Sequence, residues 1–276
     1  MRGLTAALAI FLLQLSLAGP LSAHDPESGR ATSILNEGVI VEHGDTKVLF
    51  DPIYDNSFNT YPEMGEDLKA KIINGDAPFD GVDAIFVSHF HGDHFSAPNM
   101  LRLLKAQGEV RLFAPAAAVD AMRSAAGWDE SLSERITSVS LELAGPAAQY
   151  SLEDITVEAV RVPHSGWPRF HKDVENIIFR VTLANSTRVM HLGDAGTDDS
   201  HFAPHHEFLR KVRTGIAFVP YWMFGRPDSD EFFDSVLNAQ SAVGIHVPAN
   251  VPEALKQSGK DYFVSLGETR SIPPAE

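Results

Sequence analysis

The sequence contains no cysteine among its 276 residues. That absence excludes a disulfide framework, thiol catalysis and thiolate ligation, so any metal must be held by nitrogen and oxygen donors. Basic residues are also scarce, with 22 Lys and Arg against 37 Asp and Glu and a formal net charge of −15. Phosphate backbones are bound by clustered Lys and Arg. The densest basic stretch, Arg210-Lys211-Val212-Arg213, reads as the solvated end of a helix, so no nucleic-acid partner is expected. The chain has no tandem repeat, low-complexity block or long Gly/Ser linker to divide it.

Long apolar runs are confined to the start. Leu4 to Leu17 is interrupted only by Thr5, Gln14 and Ser16, follows Arg2, and gives way to Gly19-Pro20 and small residues up to Ala23. It is short for a membrane span, which needs about 20 apolar residues, and has the three-part layout of a secretory signal peptide. Residues 1–23 are therefore expected to be removed on export to the periplasm or medium, leaving no stable membrane anchor. Residues 24–276 are expected to form a single domain, long enough to bury a substantial core.

Within that domain short β-rich runs alternate with helical stretches. A hairpin is expected from 33–35 through 38–41, with a turn near Gly44-Asp45 into 47–50. Helices are expected over 65–73, 97–106, 115–126, 204–212, 229–238 and 251–257. Strands are expected over 82–87, 110–113, 136–142, 155–162, 176–183, 187–192, 215–219, 242–246 and 261–265. This mixture implies a layered α/β architecture.

Against these absences stands one dense motif, Ser88-His89-Phe90-His91-Gly92-Asp93-His94. Three imidazoles and a carboxylate in six positions are costly to gather unless a cation coordinates them. In an extended segment residues two apart share a side, so His89 and His91 can grip one ion together. Gly92 is expected to permit a sharp turn that lets Asp93 and His94 address a neighbouring ion. Other candidate ligands recur at predicted strand ends: His164 after 157–162, Asp194 after 189–192, and His246 closing 242–245. Loops from distant segments converge at such ends.

Taken with Leu49-Phe50-Asp51-Pro52, Val162-Pro163-His164, Leu192-Gly193-Asp194-Ala195-Gly196 and Gly244-Ile245-His246, the motif resembles the metallo-β-lactamase superfamily over most of the chain. The resemblance implies a four-layer αββα sandwich with metals at one edge. It implies that His89, His91 and His164 bind one metal, that Asp93, His94 and His246 bind a second, and that Asp194 bridges them. It also implies that Asp51 supports a ligating imidazole by hydrogen bonding. Two divalent ions are expected, Zn(II) foremost, with Mn(II) or Fe(II) fitting the same donor set. The Asp51 segment and the late His246 look most like the ascorbate-phosphate lactonase-like branch.

Such a centre predicts hydrolysis of a small ester, lactone, thioester or phosphodiester by a hydroxide held between two metals, with Asp93 orienting it and passing on a proton. Two alternatives come from the same superfamily: a mononuclear iron oxidoreductase, and a periplasmic β-lactamase. Asp194 argues against the latter, because metallo-β-lactamases generally lack the bridging carboxylate. Trp167, Phe170, His171, Tyr221, Trp222 and Phe224 follow predicted strands and are candidates for a pocket lining. Tyr221 and His171 are candidate proton donors or oxyanion contacts. The sequence leaves substrate and oligomeric state open.

Overall fold

Alternating apolar side chains build two sheets that share a buried apolar interface. In the computed structural model, residues 28–184 and 186–274 are described; the expected signal peptide lies outside them. The first sheet holds β1 (Gly29–Leu35), β2 (Gly38–His43), β3 (Thr46–Phe50), β4 (Ala84–Phe86), β5 (Arg111–Pro115), β6 (Ile136–Val139) and β13 (Thr269–Ile272), in the order β13-β1-β2-β3-β4-β5-β6. The second holds β7 (Ala148–Leu152), β8 (Ile155–Arg161), β9 (Ile177–Leu183), β10 (Thr187–His191), β11 (Thr214–Pro220) and β12 (Ala239–Ile245), in the order β12-β11-β10-β9-β8-β7. Pairing is parallel from β3 to β6 and from β10 to β12, and antiparallel elsewhere.

The period of two in a strand decides the layers. Val48, Phe50, Ala84 and Phe86 point inward and meet Val157, Phe179, Val181, Ile216 and Phe218 of the opposite sheet. Leu49 and Ile85, one position out of phase, face the helices α1 (Glu66–Asn74), α2 (Ala97–Ala106) and α3 (Ala116–Ser124). Ile178, Ala217 and Val219 likewise face a second helical layer containing α4 (His206–Arg210) and α5 (Ser229–Glu231). The result is the αββα sandwich.

Local signals fix the helix that follows the metal motif. Ser96 caps α2 by accepting the Asn99 N–H, Pro98 sits in the first turn, and Met100, Leu101, Leu103 and Leu104 are buried. On the opposite side the buried Arg180 pairs with Glu158 at 2.9 Å and donates to the Phe208 and Leu209 carbonyls, which anchors α4.

Several expectations need correction. The strand expected at 261–265 is a single bridge between Tyr262 and Gly244, and the terminal strand is β13 at 269–272. The expected helix over 229–238 shortens to α5 followed by a π-type turn over Phe232–Val236. Strand β7 was not expected, because its residues alternate between half-buried and exposed at a sheet edge and carry little apolar signal. Among the described residues, no helix is long and apolar enough to cross a membrane.

Candidate metal centre

The ends of β4, β8, β10 and β12 open on one edge of the sandwich, and the loops beyond them carry the polar residues. His89 Nε2 and His91 Nδ1 lie 3.0 Å apart. A bridge between His164 and Ala195 ties the loop after β8 to the loop after β10, reinforced by the Ser165 N–H on the Asp194 carbonyl at 2.7 Å. His164 Nε2 is thereby set 3.1 Å from Asp194 Oδ2. The other Asp194 oxygen is 3.1 Å from His246 Nε2 and 3.4 Å from His94 Nε2. Asp93 Oδ2 approaches the same pair, 3.3 Å from His246 Nε2 and 3.9 Å from His94 Nε2. All seven residues expected around metals are thus brought together in two groups that share Asp194, as the sequence segments alone could not show.

Asp51, just past β3, organises one imidazole of each group. Its Oδ1 accepts the Ser88 N–H at 2.7 Å, and its Oδ2 accepts the Ser88 hydroxyl at 2.5 Å and His94 Nδ1–H at 2.9 Å. The Ser88 oxygen is then free to accept His89 Nδ1–H at 3.0 Å. One carboxylate so fixes two tautomers, leaving Nε2 of both rings as a bare lone pair facing the centre. His164 follows the same rule, because its Nδ1 donates to the Ser165 carbonyl at 2.8 Å.

Two turns complete the cradle. Asn36, between β1 and β2, donates to the Asp93 carbonyl at 2.9 Å, and its own carbonyl accepts the His246 N–H at 3.1 Å. Asn176 accepts the Asp194 N–H at 2.9 Å and donates to the Leu192 carbonyl. Gly193 has a φ of 51°, and a Cβ there would lie 2.5 Å from Asn176 Oδ1 and 2.7 Å from Ser88 Cβ, so glycine is required. The turn expected at Gly92 forms over residues 92–94, where the His94 and Phe95 amides donate to the His91 carbonyl at 3.1 and 2.9 Å, although Gly92 itself does not take a positive φ. It serves close approach instead, with Asn56 Cβ 3.2 Å from where a Cβ would stand.

The electrostatics suit a cation. Burial opposes charge on every group, yet the Asp194 carboxylate overcomes it to hold the His246 ring up at about 9 and His94 well above its usual range. Those rings in turn hold Asp194 well below its own, so the centre favours positive charge that bound cations would supply instead. Burial, with His164 and His94 adding to it, pushes His91 down to about 4, so that ring is neutral with its lone pair available. Burial likewise drives His89 well down. His164 Nε2 and Asp194 Oδ1 are buried without any hydrogen-bond partner. Acceptors converging on acceptors, in a set of only imidazole and carboxylate donors, fit divalent cations.

The remaining candidates lie around this centre. The His171 ring is exposed on the open side, 4.5 Å from His164 and 5.1 Å from His91 between centroids. Tyr221 stands one ring further out, packed on Trp222 at 5.6 Å, while Trp222 lies 5.3 Å from His246 and donates to the Ala195 carbonyl. Sequence reasoning missed two residues. Tyr61 packs edge-on against His246 at 3.9 Å, and burial beside Asp194 and Asp93 raises its phenol well above the usual range. Glu37 is wholly buried beneath His94 and His191, and burial pushes its carboxyl well up. Neither lies in a recognisable motif; a lone acid in the apolar strand pair 33–41 was the only available signal for Glu37.

Comparison with known proteins agrees with this fold. The metallo-β-lactamase fold protein YhfI from Bacillus subtilis superposes with a TM-score of 0.57 at 15% identity, covering 88% of this chain and 99% of that one. Igni18, described as a metallo hydrolase from Ignicoccus hospitalis, gives 0.58 at 14% identity, with 89% and 99% covered. CmlA from Streptomyces venezuelae, described as a diiron β-hydroxylase, gives 0.55 at 14%, with 90% of this chain but only 54% of CmlA covered. No curated protein sequence matches significantly. The family model described as the beta-lactamase superfamily domain matches residues 46–224, more than half of the sequence and most of the site, so the chain belongs to the beta-lactamase superfamily.

Proposed function

We propose that this protein is an exported, binuclear metal-dependent hydrolase of an ester, lactone, thioester or phosphodiester. The observation that carries the proposal is the shared Asp194 carboxylate, one oxygen toward His164 and the other toward His94 and His246. His89, His91 and His164 would hold one ion, Asp93, His94 and His246 the other, and Asp194 both. When bound, paired divalent cations supply an activated water at neutral pH and polarise a scissile carbonyl or phosphoryl oxygen.

The side chains do the rest. Asp51 and Ser88 lock the imidazole tautomers, so the donors need no reorganisation. Asp93, at the rim of the second group, is placed to orient the attacking water and accept its proton. Tyr61, kept protonated by its surroundings, and His171 and Tyr221 are placed to donate to an oxyanion or leaving group. The exposed Phe90, whose ring lies 5.3 Å from His91, and Trp222, 5.3 Å from His246, support a substrate with an apolar portion. The Leu49-Phe50-Asp51-Pro52 segment and His246 support a place in the lactonase-like branch. The amino-terminal apolar run supports export.

Names of similar folds lend weight to hydrolysis, with Igni18 a metallo hydrolase and another neighbour a diphosphatase of the PhnP family. A second reading, an iron oxygenase, is favoured by the likeness to a diiron β-hydroxylase and by a donor set free of sulfur. Elemental analysis with a panel of ester, lactone, thioester and phosphodiester substrates separates the two. Two Zn or Mn ions with turnover that is lost in His91→Ala and Asp93→Ala, while both variants remain folded, supports hydrolysis. Iron with oxygen uptake and no hydrolysis overturns it.

A further inference from the structure

We infer that Glu37 is an additional ligand of the second cation, making that position oxygen-rich and distinct in metal preference from the first. The inference rests on the two-metal reading above. Glu37 lies in the tight turn between β1 and β2, and its side chain is wholly shut off from solvent. Both of its carboxylate oxygens lack a hydrogen-bond partner.

The nearby donors are already committed. His94 Nδ1 is 3.8 Å from Glu37 Oε2 but donates to Asp51 at 2.9 Å. His191 Nε2 is 3.5 Å from that oxygen but donates to the backbone carbonyl of Glu37 at 3.0 Å. An ionised carboxylate so enclosed is strongly unfavourable, and a protonated one would leave its hydroxyl without an acceptor. A cation resolves the conflict. Glu37 offers an oxygen to two groups whose ligand atoms lie within 4.8 Å of one another, one with Asp51 and His191 and one with His94, Asp194 and His246; only the second is continuous with the metal centre.

The chemistry of the two positions then differs. His89, His91 and His164 with Asp194 make a nitrogen-rich, four-donor set suited to tetrahedral Zn(II). Glu37, Asp93 and Asp194 with His94 and His246 offer three carboxylates and two imidazoles. That set favours the higher coordination and harder character of Mn(II) or Fe(II).

The test is stepwise titration of the metal-free full chain and of Glu37→Gln with Co(II), Zn(II) and Mn(II), reading affinity, stoichiometry and the Co(II) visible bands. Gln keeps the shape and removes the charge. The first ion should bind alike in both proteins. The second should bind Glu37→Gln more weakly by more than roughly a hundredfold, beyond the ~10–100-fold expected from losing a merely orienting group. Its Co(II) bands should intensify as the coordination number falls, and its preference for Mn(II) over Zn(II) should drop. Metal-free Glu37→Gln should also melt above the metal-free parent. Should Gln prevent folding, Glu37→Asp, which withdraws the oxygen by one methylene, should give the same spectral change. Unchanged bands and affinity for the second ion would remove Glu37 from the ligand set while leaving the binuclear reading intact. Failure of the parent chain to take a second ion would overturn both.

Discussion

His164 Nε2 and Asp194 Oδ2 face each other across 3.1 Å, although the His164 proton is committed to the Ser165 carbonyl on the far side of the ring. Two acceptors at that distance repel unless positive charge lies between them. The neighbouring Asp194 oxygen lies 3.4 Å from Nε2 of His94, whose Nδ1–H is held by Asp51. The centre is therefore preorganised through the hydrogen bonds behind its imidazoles.

Asp51→Ala should loosen both ions, by roughly 10–100-fold each, because it frees His94 directly and His89 through Ser88. Ser88→Ala should weaken mainly the first ion, since His94 keeps its bond to Asp51. Competition against a chromophoric chelator measures both steps, and equal loss at the two positions in Ser88→Ala would contradict the wiring.

Gly193→Ala should cost more than about 2 kcal/mol of stability. The added methyl meets Asn176 and Ser88 at under 3 Å, and the backbone there is left-handed. Because Asn176 also fixes the Asp194 amide, metal stoichiometry should fall alongside the melting temperature. A variant as stable as the parent would show that the turn can relax.

Acid should selectively loosen the loop that carries Tyr61. Burial disfavours charge on Asp55, but hydrogen bonds from Lys69, Ser96 and Asn99 outweigh it and hold the carboxyl below its usual value. A depressed carboxyl stabilises the fold above its unfolded pKa of about 3.9 and loses that contribution as pH falls through the folded value. The difference in melting temperature between the parent and Asp55→Asn should be full above about pH 4 and disappear only once the pH falls below the lowered folded value. A difference independent of pH would assign the effect to packing.

Tyr61→Phe should lower kcat by about a hundredfold if its hydroxyl stabilises developing negative charge. The metal content should remain unchanged, because Tyr61 touches His246 through its ring. Loss of metal together with activity would instead make the ring a support for His246.

Much of this centre was legible beforehand because its determinants are local. His89, His91, Asp93 and His94 occupy one short turn, and the strands before His164, Asp194 and His246 carry clear apolar runs, so their ends could be located. Helix α2 follows at the expected residues because its cap, proline and buried face are adjacent in sequence. The failures are equally physical. Glu268 and Gly267 bond to the β1 backbone and β13 pairs with β1, which draws the terminal strand past the 261–265 run. Edge strand β7 alternates, with Ala148, Tyr150 and Leu152 half-buried between exposed Gln149 and Ser151, but it is only five residues long and reaches no fully buried position.

The donor chemistry, sulfur-free and imidazole-rich, and the strand ends from which it comes are written in short stretches of the chain, because residue type and period are local properties. Folding is what sets Asp194 between two groups, gives Asp51 an imidazole in each, and brings Glu37 and Tyr61 beside them. Those relations join residues far apart along the chain, and it is the packing of one sheet on the other that sets the distances between them.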